Sequence, residues 1–110
     1  MMKKKSLFKK EYSVGDIVTL LRDHDISKKE IKNLSVKITG WVKDVDIALK
    51  KEIKLIDNLH KKGLVIDIKN INLLANKKII PGDKVAVIAK ITVTKESIKL
   101  VLENIKVKRE

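Results

Sequence analysis

The sequence predicts an all-β fold with short helices, in which five strands close into a small barrel that follows an N-terminal helical extension. Three observations carry that prediction. Between Val36 and Lys43 the residues alternate with period two: Val36, Ile38, Gly40 and Val42 fall on one face, and Lys37, Thr39, Trp41 and Lys43 on the other. Gly40 sits in mid-strand, where glycine weakens ordinary pairing and marks a bulge or a sharp bend. A long strand bent there can belong to two sheets at once. Finally, four further apolar stretches follow, separated by turn signals and by one short helical segment.

Taken in order, residues 1–33 read as a basic arm and a short helical extension, and residues 34–110 as the barrel. Met1 to Lys10 is polar and lysine-rich. Ser13-Val14-Gly15-Asp16 has the pattern of a helix start, with Ser13 as N-cap, and Ile17, Val18, Leu20 and Leu21 supply an apolar stripe over about two turns. Asp23-His24-Asp25 ends it, and Ser27-Lys28-Lys29-Glu30 opens another short helical turn. The first strand of the barrel runs from Leu34 to Asp46. Ile53–Ile56 and Leu64–Ile68 are the second and third, joined by a hairpin in which Gly63 takes a positive φ. Ile71 to Ala75 forms one or two helical turns. Pro81-Gly82 fits a type II turn, since proline fixes the first φ and glycine permits the second. Lys84–Thr94 and Ile98–Val107 close the set, with a register break expected near Glu103-Asn104.

The order strand-strand-strand-helix-strand-strand is that of the oligonucleotide/oligosaccharide-binding barrel, the OB-fold. The chain resembles the OB nucleic-acid-binding superfamily, particularly its anticodon-binding and replication-protein-A-like members. The resemblance lies in Val36-x-Ile38-x-Gly40-Trp41-Val42, in Pro81-Gly82-Asp83-Lys84-Val85-x-Val87 and in Leu100-Val101-Leu102-Glu103-Asn104-Ile105, and covers about residues 34 to 108. It implies a binding face on the outer surface of the second and third strands, bordered by the first–second and fourth–fifth strand loops. The chain departs from binding members in one respect: Ile53 to Ile68 contains no aromatic residue. Stacking is therefore expected to be limited.

Charge narrows the partners. Twenty-six basic residues against fourteen acidic ones leave a formal charge of +12, and the isoelectric point is near 9.9. Such a balance favours a polyanion, nucleic acid first and an anionic membrane surface second; the plainer reading is a lysine-rich solvated surface. Only Arg22 and Arg109 are arginines, so bidentate reading of guanine edges is poorly equipped. Lysine point charges on phosphates give affinity with little sequence preference. The absence of cysteine excludes disulfides, thiolate zinc sites and thiol nucleophiles. With no membrane-length apolar run and no signal-peptide core, the sequence is expected to be intracellular and cytoplasmic.

Trp41, flanked by Lys37 and Lys43, is the first candidate site residue. Exposed, it is a stacking platform between phosphate anchors; covered by the N-terminal helix or the following loop, it is a core residue. Lysines at turns come next: Lys50 and Lys51, Lys61 and Lys62, Lys77 and Lys78, and Lys95. On the face implied by the resemblance, Lys50, Lys51 and Lys95 form the border, and Lys54 and Lys69 lie on it. Lysines at turns also protect sheet edges in any soluble β protein. His24, His60, Asp44 and Asp46 are too few and too scattered for a metal site, and no nucleophile–base pair or phosphate loop is present in the spacing. The expectation is a non-enzymatic module that binds single-stranded DNA or RNA with weak selectivity and needs no cofactor. The alternative is an accessory subunit that pairs with a larger protein, or with a second copy, through the N-terminal helix or an edge strand.

Overall fold

The computed structural model describes residues 11–22, 28–75, 77–95 and 97–108. The expected basic arm, the Asp23-His24-Asp25 helix end and the Ser27 cap lie outside the described residues. The elements are β1 (Glu11–Ser13), α1 (Val14–Arg22), α2 (Lys28–Ile31), β2 (Ser35–Asp46), β3 (Glu52–Ile56), β4 (Leu64–Asp67), a 3-10 turn (Ile71–Leu74), β5 (Lys84–Val93) and β6 (Ile98–Val107). The strands pair in the order β1-β2-β3-β4-β6-β5, and a further ladder joins β2 to β5. Strands β2, β3, β4, β6 and β5 thus form a closed ring of pairings. Within that ring every step is antiparallel except β4–β6, where Ile66 faces Leu100 and Asp67 faces Val101 in parallel.

Strand β2 serves both halves of the ring, as its length and glycine suggest. One of its edges pairs with β5 from Ser35 to Trp41; on the other, β1 pairs at Lys37–Thr39 and β3 takes over from Trp41 to Asp46. Backbone bonds extend the β5 ladder past its end, from Val42 to the Asp83 carbonyl (2.8 Å) and from Gly82 to the Val42 carbonyl (2.7 Å). The bulge expected at Gly40 lies three residues further on. Register shifts between Val42 and Asp44, so Lys43 is the extra residue. Gly40 is needed for a different reason: a Cβ there would lie 2.7 Å from Val14 Cγ2 and 2.9 Å from the Ile56 carbonyl oxygen. A side chain at this position would hold the start of α1 away from the sheet.

Period-two alternation becomes one core. Val36, Ile38 and Val42 of β2 meet Ile53 and Leu55, Ile66, Val85, Val87, Ala89 and Ile91, and Leu100, Leu102 and Ile105. Each of these valines, leucines and isoleucines removed from water contributes roughly 1.5–3 kcal/mol, and Ala89 less. Tyr12, Val14, Ile17 and Ile31 from the region before β2 join the same cluster, and Val18, Leu20 and Leu21 pack against it. Strand β1 is a sixth strand that the sequence pattern did not predict.

Local signals explain the joints. The Ser13 hydroxyl accepts the Asp16 amide at 3.1 Å, capping α1 as expected. Asp16 in the first turn and Arg22 in the last complement the helix dipole. The 3-10 turn is capped by Asn70, whose side chain accepts from the Asn72 amide at 3.0 Å. Gly63 and Gly82 adopt φ of 105° and 95°, and Asp83 donates to the Ile80 carbonyl at 3.1 Å, closing the Pro81-Gly82 turn. In β6, Glu103 is the extra residue opposite the Ile88–Ala89 step, at the register break expected there.

One carboxylate ties the hairpin between β3 and β4 to the helix start. Asp57 accepts the amides of Gly15 (2.6 Å), Leu59 (2.9 Å) and His60 (2.6 Å). Burial pushes its carboxyl up, but those three amides and the nearby His60 outweigh burial and hold it below the ordinary aspartate value.

Candidate nucleic-acid interface

Trp41 points outward from the place where β2 is shared by both halves of the ring. Its cross-strand neighbours are Lys84 in β5 and Ile56 in β3. The ring is 37% exposed, which removes the core reading of this residue. The Lys84 ammonium lies 5.3 Å from its centroid, within cation–π range. Beside it, the bulged Lys43 turns its ammonium towards the carbonyls of Lys61 (3.4 Å) and Lys62 (3.1 Å), anchoring the β3–β4 turn. Between these elements lies a groove of about 520 Å³ that includes Trp41, Lys43, Ile56, Asn58, Lys61 and Gly82 in its walls. One aromatic face, several ammonium groups and an open cleft can stack a base and neutralise phosphates.

The other predicted residues are placed elsewhere. Lys37 lies four residues back on the same strand face, 3.9 Å from Glu11, which Lys108 also approaches at 3.7 Å. These exposed pairs are weak and leave both ammonium groups accessible. Lys50 and Lys51 lie in the β2–β3 turn, where Lys51 has a φ of 53° and its carbonyl accepts the Ile68 amide at 2.8 Å. That bond brings Lys69 to the same end of the ring. Lys54 stands between Asp44 and Val65, 3.8 Å from Glu52. Lys95 is exposed in the β5–β6 turn, and the residues that follow it, Ser97, Ile98 and Lys99, share a cleft with Glu52, Val65 and Asp67. The structure therefore gathers Trp41, Lys43, Lys61 and Lys62 in one place, with Lys54 beside Lys43 against Gly63, and Lys50, Lys51 and Lys69 in another.

Lys84 was not among the predicted site residues. Alternation pointed it outward, but only the β2–β5 register sets it over the indole. Among the described residues, no group of three or more histidine, cysteine or acidic side chains could hold a metal ion. No helix among them is long and apolar enough to cross a membrane.

Neither a family model nor a curated protein matches the chain. Solved structures do. The chain is similar to the Stn1–Ten1 complex of S. pombe at 18% identity and a TM-score of 0.54, over 69% of this chain and 59% of that one. It thus spans less than two thirds of that protein's length. It is also similar to the protein YgiW of E. coli, at 14% identity and a TM-score of 0.61 over 87% of each chain. The mitochondrial single-stranded DNA-binding protein Rim1 of S. cerevisiae aligns at 16% identity and a TM-score of 0.55, over 69% of this chain and 94% of that one. At these identities the likeness is one of fold. The chain has the OB fold, as the resemblance in its sequence implied.

Proposed function

We propose that the protein binds single-stranded nucleic acid, with weak sequence selectivity, through lysine–phosphate contacts and limited stacking on Trp41. The observation that carries this reading is the exposed Trp41 ring, set among the ammonium groups of Lys43 and Lys84 at a groove shared by both halves of an OB fold. That solved neighbours of similar fold include a single-stranded DNA-binding protein supports it. Lysine rather than arginine predominates, which fits affinity for a phosphate backbone more than readout of bases. Nothing in this chemistry requires a catalytic step, and we read the protein as a binding module rather than an enzyme.

The alternative, an accessory subunit docking through its N-terminal helix, would present an apolar patch on Ile17, Val18, Leu20 and Leu21. Ile17 is fully buried and the other three pack against the core, which favours the first reading. The test is a fluorescence titration with a dT oligonucleotide at low salt. Trp41 is the sole indole, so saturable quenching is the expected result, and unchanged emission with no detectable complex would refute the proposal.

A further inference from the structure

The resemblance to OB proteins directs a ligand to the outer face of β3 and β4, yet the charges on that face oppose it. Asp46, Glu52 and Asp67 are direct cross-strand partners in one row, and Asp44, Lys54 and Val65 form the next. Three carboxylates abreast repel one another and any phosphate, and Lys54, 3.8 Å from Glu52, offsets only one of them.

The opposite face, formed by β2, β5 and β6, is basic. The β2–β5 and β5–β6 registers set Trp41 beside Lys84, Thr39 beside Ala86 and Lys106, Lys37 beside Ile88 and Asn104, and Ser35 beside Lys90 and Val101. Lys99 follows opposite Thr92, and Lys108 is tied to the first row by its amide bond to the Lys84 carbonyl at 2.8 Å. Six lysines share this surface: Lys37, Lys84, Lys90, Lys99, Lys106 and Lys108. The acids beside them are Glu11, already between Lys37 and Lys108, Glu103, which accepts the Ser35 hydroxyl, and, at the β4–β6 seam only, Glu52 and Asp67, which line a cleft with Lys99. At the centre lies a shallow cleft of about 500 Å³ whose floor includes Ala86 and Ile88. Ile88 is 38% exposed.

We propose that the phosphate backbone of a single strand follows this β2–β5–β6 face, from Lys99 and Lys90 to Trp41 and Lys84 at its far end, and not the β3–β4 face. The proposal rests on the single-strand reading above and adds the path. Adjacent strands lie about 4.8 Å apart and outward residues about 6.8 Å apart along a strand, so the ammonium groups form a field across which a flexible backbone can settle. Ala86 and Ile88 give sugars and bases an apolar floor, and the accessible indole is continuous with the lysine rows. That continuity favours a nucleic acid over an acidic polypeptide, which has no base to stack.

The test compares two variants of the full chain by anisotropy, using a labelled dT20 oligonucleotide over a range of NaCl concentrations. One carries Lys90→Gln, Lys99→Gln and Lys106→Gln; the other carries Lys50→Gln, Lys54→Gln and Lys69→Gln. All six residues lie at the surface, and circular dichroism verifies that each variant is folded. The first variant is expected to bind at least about tenfold more weakly at low salt, with a log K against log salt slope shallower by about 2, or about 0.7 for each lost contact. The second is expected to stay within about twofold of wild type. If the second variant loses affinity while the first does not, or if both lose it equally, the path is wrong although single-strand binding stands. If polyglutamate binds the wild type as tightly as dT20 and only the first variant loses it, the face serves an acidic polypeptide and the proposal fails. A wild type that binds no oligonucleotide at low salt overturns the function itself.

Discussion

Gly40, Asp57 and Trp41 each meet a different physical demand. At Gly40 the obstacle to a side chain is partly backbone, since the Ile56 carbonyl oxygen lies 2.9 Å from where a Cβ would stand. Gly40→Ala should therefore cost about 1–3 kcal/mol, the range for overpacking, and Gly40→Val more. Adding Val14→Ala to Gly40→Ala should recover part of the overpacking strain, because it removes the 2.7 Å contact, with the cavity cost of Val14→Ala read from the single variant. Urea unfolding of the wild type and these four variants checks this, and unchanged midpoints in both single Gly40 variants would contradict it. For Asp57, replacement by Asn keeps an acceptor but removes the charge from three amides, an expected loss of about 1–3 kcal/mol at neutral pH. Its folded pKa lies below its unfolded value, so this stabilisation is fully present above the ordinary aspartate value of 3.8 and fades as pH falls through the folded pKa. Unfolding at pH 7 and at acid pH should show the gap between wild type and Asp57→Asn closing on the acid side. A gap constant with pH would count against the charged anchor. For Trp41→Ala, binding should weaken by roughly 1–3 kcal/mol, the range for base stacking. Folding should lose well under the about 3–5 kcal/mol of a core tryptophan.

At the level of elements, strand bounds were legible where periodicity was sustained. Val36 to Val42, Val85 to Val93 and Ile98 to Val107 alternate over enough residues to reveal both strand and inward face. Gly63, the Pro81-Gly82 pair and the Ser13 cap were legible for another reason: each residue type has one local conformation that rewards it. Strand β1 was not. Three residues carry no period, and their partners in β2 lie 26 positions away. The bulge at Lys43 was also hidden, because it is set by how β3 meets β2 and not by a local residue preference. The capped start of α1 offers a direct check. Ser13→Ala should destabilise the protein by about 0.5–2 kcal/mol through loss of the bond to the Asp16 amide, and thermal unfolding would detect it. An unaltered melting temperature would mean that the tertiary packing of Val14 and Ile17 alone fixes the helix start.

Across the whole molecule, the sequence reported how much charge there is but not where it lies. A formal +12 suggested a polyanionic partner, and alternation showed which lysines point outward. Neither revealed that the ring would set Asp46, Glu52 and Asp67 in one row across β2, β3 and β4 and spread lysines over β2, β5 and β6, since that arrangement is made by register between strands distant in sequence. Trp41 was legible as outward-facing, whereas the Lys84 ammonium over its ring was not. The central claim is that this charge distribution holds a single strand by its phosphates. Its most direct test is the affinity of the wild-type protein for an unstructured single-stranded oligonucleotide across a series of salt concentrations. If about four to six lysines each neutralise a phosphate, log K should fall against log salt with a slope of roughly −3 to −4. An undetectable affinity at low salt, or a slope near zero, would contradict it.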